Sequence, residues 1–364
     1  MKRIIVAAIF TFFLLTFTVP VCASAEENSD TQAEIAAEVD EMLADSGADF
    51  GYEEVGDMSF GGLAERVVIR VKSDLGAPSK LLGSVLIVTV FTAVVGSLGE
   101  GLLTGTASSL YGLISITAAA AVLTPQLLGA YERTLTAIDS GGSFILVFVP
   151  VFAGLTVASG GVASGSLYNM MILGASELVT GLADKLLMPV LSASAALAVT
   201  AAVFPRAQLE GIANVIRKAA VWCMTVSVTL FTGFVSLKCT LAGKADGAAT
   251  KTARFMMSGM MPIVGGAVSD AYSAVRSSFD VIRGTVGTAG TIAVILIMLP
   301  PILELLAFRA VLMIGGAAAE LLTAPQLKKL MGGIDSGLAI AQSVLIGFGL
   351  MFILCTAILM QAVK

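Results

Sequence analysis

The chain has 364 residues, 57% of them hydrophobic and 13% charged, with 26 acidic and 21 basic side chains and no histidine. Soluble domains carry about 25% charge, and a mean hydropathy of +0.94 leaves too little polar surface for a water-soluble body. The composition therefore predicts an all-α, polytopic helical membrane protein, and the missing histidine excludes Ser–His and Cys–His nucleophile pairs and imidazole metal sites.

Lys2 and Arg3, the apolar run from Ile4 to Val19, and Ala23-Ser24-Ala25 have the three parts of a secretory signal peptide, expected over 1–25. Cys22 follows Val21, where a lipoprotein signal has a small residue, so lipid attachment is not expected. Residues 26–79 are then an acidic extracytoplasmic segment. Between 26 and 80 lie 14 acidic and four basic residues, a net charge of −10, whereas 81–364 carry a net +3. Ile35, Val39, Met42 and Leu43 form one helical stripe there, and Leu63, Val67, Val71 and Leu75 a second, ending before Pro78. Two such short helices bury little core, so this segment is expected to be a solvated spacer or to fold against a partner or the membrane surface.

Residues 80–364 read as a multi-pass membrane domain. A span needs about 20 apolar residues, and the clearest candidates are 81–103, 107–130, 143–163, 186–204, 219–237, 286–308 and 338–360. The stretches 167–183, 255–268 and 310–322 are ambiguous because of Asn169 and Glu177, Pro262, and Glu320 respectively. Seven to nine spans are expected. Loops 205–218 and 238–254 are both basic and separated by one span, so the excess of positive charge does not fix orientation. Cys223, Cys239 and Cys355 lie in or beside apolar stretches without CxxC spacing and read as small buried hydrophobes.

The two halves show a weak repeat, 81–204 against 219–322. Val88–Thr92 resembles Val228–Thr232, Pro150-Val151 with Gly154 resembles Pro262-Ile263 with Gly266, and Pro189-Val190-Leu191 resembles Pro301-Ile302-Leu303. Paired apolar segments interrupted by proline mark the midplane sites of transporters. Pro150 and Gly154, with Pro262, Gly265 and Gly266, are therefore candidates for broken helices, against the simpler reading of kinked helices packed through small residues. Glu304 and Arg309 lie in one long apolar run after Pro300-Pro301. A charge at a helix centre costs at least about 2.5 kcal/mol, so these two are expected to pair with each other, more as a structural element than as a coupling site. Asp335 has no evident partner in a second span, so an intramembrane aspartyl protease is not expected; nor is a P-loop nucleotide hydrolase, since GxxxxGK[ST] is absent.

Lys251-Thr252-Ala253-Arg254-Phe255, Met261-Pro262-Ile263-Val264-Gly265-Gly266, Ser269-Asp270-Ala271 and Gly287 with Gly290 resemble the most recognisable stretch of the stage III sporulation protein AE family. Phe148-Val149-Pro150-Val151 fits it too, as do the leader, the acidic region and the length. The resemblance implies a non-catalytic subunit, without cofactor or nucleic acid, of a channel or secretion-like apparatus in the mother-cell membrane of endospore-forming bacteria. The partners it implies are other stage III A proteins, including a secretion-type ATPase and ring-forming membrane subunits, with membrane lipid around them. It carries no catalytic residue onto any position here. The other reading, a permease-like secondary transporter of a small solute, rests on the proline-broken pair.

Overall fold

The structure is a computed structural model that describes residues 76–102, 106–182, 185, 187–204, 209–260 and 265–362. Residues 76–79 already belong to the first helix; the expected signal peptide over 1–25, the expected acidic segment up to residue 75 with its two helical stripes, and Pro262 lie outside the described residues. Within them the chain forms seven α-helices and no strand: α1 Gly76–Leu102, α2 Thr106–Ala158, α3 Val162–Leu182, α4 Met188–Val203, α5 Leu209–Met260, α6 Gly265–Leu321 and α7 Pro325–Ala362. Five contain stretches long and apolar enough to cross a membrane, and α4 is a shorter apolar helix.

Helix boundaries depart from the predicted spans in one systematic way. The segments 107–130 and, as far as Ala158, 143–163 are not two helices but a single one of 53 residues, about 80 Å long. Likewise 286–308 and 310–322, up to Leu321, belong to the 57-residue α6. The charges and glycines between the apolar runs suggested a loop, but in α2 they occupy two faces of a continuing helix. Glu132, Arg133 and Asp139 are exposed, while Tyr131, Thr134, Ile138, Gly141 and Gly142 are buried. A Cβ at Gly141 would overlap Met298 of α6, and one at Gly142 would lie 2.6 Å from Thr180 of α3. These glycines admit neighbouring helices rather than ending their own.

The core is a three-helix arrangement with α6 running antiparallel to both α2 and α7. Along α2 and α6 the opposed positions form a ladder: Arg133 with Glu304, Gly141 with Met298, Phe148 with Gly290, Phe152 with Gly287 and Ser159 with Arg283. Helix α7 closes the other side. Its Phe352 stands edge-on to Phe144 and Phe148, and Thr356 shares a 2.8 Å hydrogen bond with Tyr168 of α3. Helix α4 lies antiparallel to α7, with Ala198 against Gly333 and Ser194 against Gly337. The first helix adds a buried stripe, Leu81, Val85, Val88, Thr89 and Thr92, while Leu86, Ile87, Val90 and Phe91 face outward. Large apolar side chains exposed in this way suit a lipid surround.

Two helix ends carry the turns. After α2, Gly160 (φ +90) is left-handed, its N–H donating to the Val157 carbonyl at 2.9 Å and the Gly161 N–H to that of Thr156 at 2.8 Å, a Schellman cap. The α6–α7 turn repeats the pattern, with Thr323 N–H to Glu320 and Ala324 N–H to Ala319, but Thr323 holds the left-handed position at φ 56. A β-branched side chain there costs about 1–2 kcal/mol. Thr323→Gly removes that strain and adds roughly half as much unfolded-state entropy. Its expected effect is a gain of about 0.5–1 kcal/mol, read as a higher thermal midpoint in detergent; a lower midpoint would show that the threonine is not strained.

Candidate functional site: an apolar seam with charged ends

The ladder between α2 and α6 has polar groups at both ends and apolar ones between. From Arg283 to Glu304 it rises about 32 Å at 1.5 Å per residue, close to the roughly 30 Å hydrocarbon core of a bilayer. Its middle is an aromatic stack. Phe144, Phe148 and Phe152, four residues apart on α2, lie with ring centroids 5.3 and 5.5 Å apart in succession. Tyr168 stands edge-on to Phe152 at 5.5 Å. Gly287 and Gly290 give these rings their seat: a Cβ at Gly290 would overlap Phe148, and one at Gly287 would lie 2.8 Å from both Phe152 and Met360.

At one end Glu304, with only 10% of its side chain exposed, accepts the Arg133 Nε at 2.9 Å. The Arg133 guanidinium also lies 5.5 Å from the Phe308 ring centroid. One turn further along α6, Arg309 Nε donates to Asp335 Oδ1 at 2.7 Å and its Nη1 donates to Gln342 Oε1 at 2.6 Å. The expected Glu304–Arg309 pair is thus corrected. Five residues apart, the two side chains leave α6 in different directions, Glu304 toward α2 and Arg309 toward α7. Each charge is neutralised across a helix interface, so α6 is tied to both neighbours. Asp335, seen in the sequence as an acid without a partner, is one of the ties.

At the other end the α2–α3 turn is built into a polar node. Gly161, at the N-cap of α3, has no side chain to meet the first amides of that helix. Asp246 of α5 supplies the missing acceptors: Ala163 N–H donates to Oδ1 and Ser164 N–H to Oδ2, both at 2.9 Å, and the Ser164 hydroxyl donates to Oδ2 at 2.7 Å. Asp246 is 6% exposed. At the end of α2 the buried Arg283 reaches Asp280 at 3.4 Å and donates to the Ser159 hydroxyl at 3.4 Å. A carboxylate bound to two helix N-terminal amides is stabilised by the hydrogen bonds and by the helix dipole. Asp246→Ala is therefore expected to destabilise the protein by about 2 kcal/mol in a detergent unfolding titration, with Asp246→Asn intermediate. Equal stability of all three forms would remove the capping role.

The proline pair is only half answered by these residues. Helix α2 runs through Pro150 without a break, and Pro150 and Gly154 both lie on its exposed face, with nothing within 4 Å of a Cβ at Gly154. The chain reverses at Ser159–Gly161 instead. Gly265 and Gly266 open α6. Of the cysteines, Cys239 and Cys355 are buried as expected, but Cys223 is exposed on α5, a helix whose apolar surface is largely unpacked. Among the described residues no three side chains of the His, Cys, Asp or Glu types converge as a metal site would require. The arrangement holds three helices in register over about the thickness of a bilayer's hydrocarbon core.

A family model described as Stage III sporulation protein AE matches residues 50–363. The Stage III sporulation protein AE of Bacillus subtilis (strain 168) is 26% identical over 249 residues, 67% of this chain and 61% of that relative. The chain's match thus spans less than two thirds of the relative's length. No solved structure matches the chain.

Proposed function

Because the chain belongs to the stage III sporulation protein AE family, we propose that it is an integral, non-catalytic subunit of the apparatus that connects mother cell and forespore during endospore formation. In this reading it sits in the mother-cell membrane facing the forespore. It assembles there with other stage III A membrane proteins, among them ring-forming subunits and a secretion-type ATPase that supplies any energy. The observation that carries the reading is the family match over 50–363, which takes in the whole helical body. The seam supports it in kind, since ion pairs and glycine-seated rings that lock helices together suit a scaffold more than a carrier that must rock. The outward-facing Pro150 in an unbroken helix takes support from the transporter alternative.

An in-frame deletion in the endospore-forming host tests the proposal. Vegetative growth is expected to be unchanged and heat-resistant spores lost, with recovery when the chain is expressed only in the mother cell. Normal sporulation of the deletion strain, or recovery only from forespore expression, would overturn it.

A further inference from the structure

Away from the seam's own contacts, two opposite charges stand on neighbouring helices at the same depth. Glu177 of α3 and Lys238 of α5 are both exposed, and α3 packs against α5. Their depths follow from the Asp246 node, which ties the two helices at one level. Glu177 lies thirteen residues above Ser164 and Lys238 eight above Asp246, about 20 and 12 Å at 1.5 Å per residue. Side chains lean toward the N-terminus of their own helix. Helix α3 starts at the node and α5 runs down to it, so the Glu177 carboxylate leans down and the Lys238 ammonium leans up. The ammonium lies 5.4 Å from the ring centroid of Phe234, one turn higher. Both charges thus arrive near the middle of the seam, which is about 32 Å long. They do not pair with each other, and Glu177 has no ion-pair partner among the described residues. Hydrocarbon can cover the exposed Met170, Leu178 and Leu237 around them. It cannot answer a carboxylate or an ammonium too deep to reach either surface.

We propose that this face of α3 and α5 packs against a second copy of the chain, with Glu177 of one copy paired to Lys238 of the other. Copies inserted the same way round are related by an axis along the membrane normal, and rotation about it leaves every residue at its own depth. A neighbouring copy therefore offers Glu177 a cation from its own level, and among the described residues Lys238 is the one that stands there. The surroundings leave room for the contact. A Cβ at Gly174, just below Glu177 on α3, or at Gly233, beside Phe234 on α5, would meet nothing within 4 Å, so a neighbouring helix can come close at both positions.

Two differently tagged full-length copies, co-expressed and purified in mild neutral detergent, provide the test, with the mass of the complex read by light scattering. Wild type is expected to be a dimer or larger, each tag carrying the other. Glu177→Lys in both copies, or Lys238→Glu in both, sets like charges face to face and is expected to lower mutual capture on the order of 10-fold. Glu177→Lys in one copy with Lys238→Glu in the other is expected to restore it, because each copy then meets its complement. A chain that had merely failed to fold would gain nothing from a second altered copy. Glu177→Gln keeps the shape of the side chain and is expected to cost roughly threefold, which keeps the test usable should the reversed charges accumulate poorly. A monomeric wild type, capture unchanged by either reversal and by Glu177→Gln, or no recovery in the mixed pair overturns the proposal. So does a wild type whose two tags never meet but which retains a different protein on this face.

Discussion

Arg309→Leu is expected to lower the stability of the purified protein by about 3 kcal/mol, and Arg309→Leu with Asp335→Leu is expected to restore most of the loss. Arg309 is the shared donor for Asp335 and Gln342. Removing it takes the donor from a part-buried carboxylate and from a buried amide oxygen. Breaking a fully buried pair costs about 3–5 kcal/mol; with side chains 32% and 28% exposed, the lower end applies. The partner matters as much as the size. Since Glu304 is tied to Arg133, the effects of Glu304→Leu and Arg309→Leu should add within about 0.5 kcal/mol, whereas Arg309 and Asp335 should couple strongly. Unfolding by sodium dodecyl sulfate in mixed micelles measures all the single and double variants. A near-neutral Arg309→Leu, or stronger coupling of 304 to 309 than of 309 to 335, would mean that the helices are not tied as described.

Phe148→Ala is expected to cost about 3–5 kcal/mol, the usual loss on emptying a buried aromatic site. Gly290→Ala is expected to cost about 1–2 kcal/mol for the opposite reason. Its methyl would overlap the Phe148 ring, an overpacking term of about 1–3 kcal/mol from which a helix-propensity gain of up to about 1 kcal/mol is subtracted. The two effects should not add. Once the ring is gone the new methyl has room, so the double variant is expected to be no less stable than Phe148→Ala alone, and a little more stable if propensity then dominates. Costs that simply sum in the same titration would show that α2 and α6 do not meet at these residues.

Much of this was legible in the residues, and what was not has a common cause. The helical membrane class follows from composition, because nothing else tolerates so few charges. That Glu304 and Arg309 need partners followed from the cost of a charge among apolar side chains. Which partners they take did not, because Arg133, Asp335 and Gln342 lie far away in sequence and only the antiparallel register brings them close. Asp335 and Gln342 are seven apart, on one face of a helix, a weak sign that they share a neighbour. The continuity of α2 was hidden because Gly141 and Gly142 carry the same letters whether they end a helix or admit another. Asp246 lies in a stretch that reads as a basic loop, and nothing around it in sequence marks it; its task is set by Gly161, the capping residue that cannot cap. Phe148-Val149-Pro150-Val151 and the Gly287/Gly290 pair were each noted as parts of one resemblance, and the seam shows that their ring and glycine members fit each other.

Helix α7 is the last of the seven to leave the ribosome, yet it packs against α2, α3, α4, α5 and α6. At about 5–20 residues per second, its 38 residues arrive some seconds after α6 is complete. Until then Phe144 and Phe148 lack Phe352, Tyr168 lacks Thr356, Arg309 lacks both acceptors, and Ala198 has no glycine to rest on. Biosynthesis therefore passes through an interval in which inserted helices wait for a central partner, with their inward faces open to lipid or to a chaperone. A nascent chain stopped before Pro325 would be short of far more than its last tenth: it would be a set of correctly threaded helices without the piece that makes them one body.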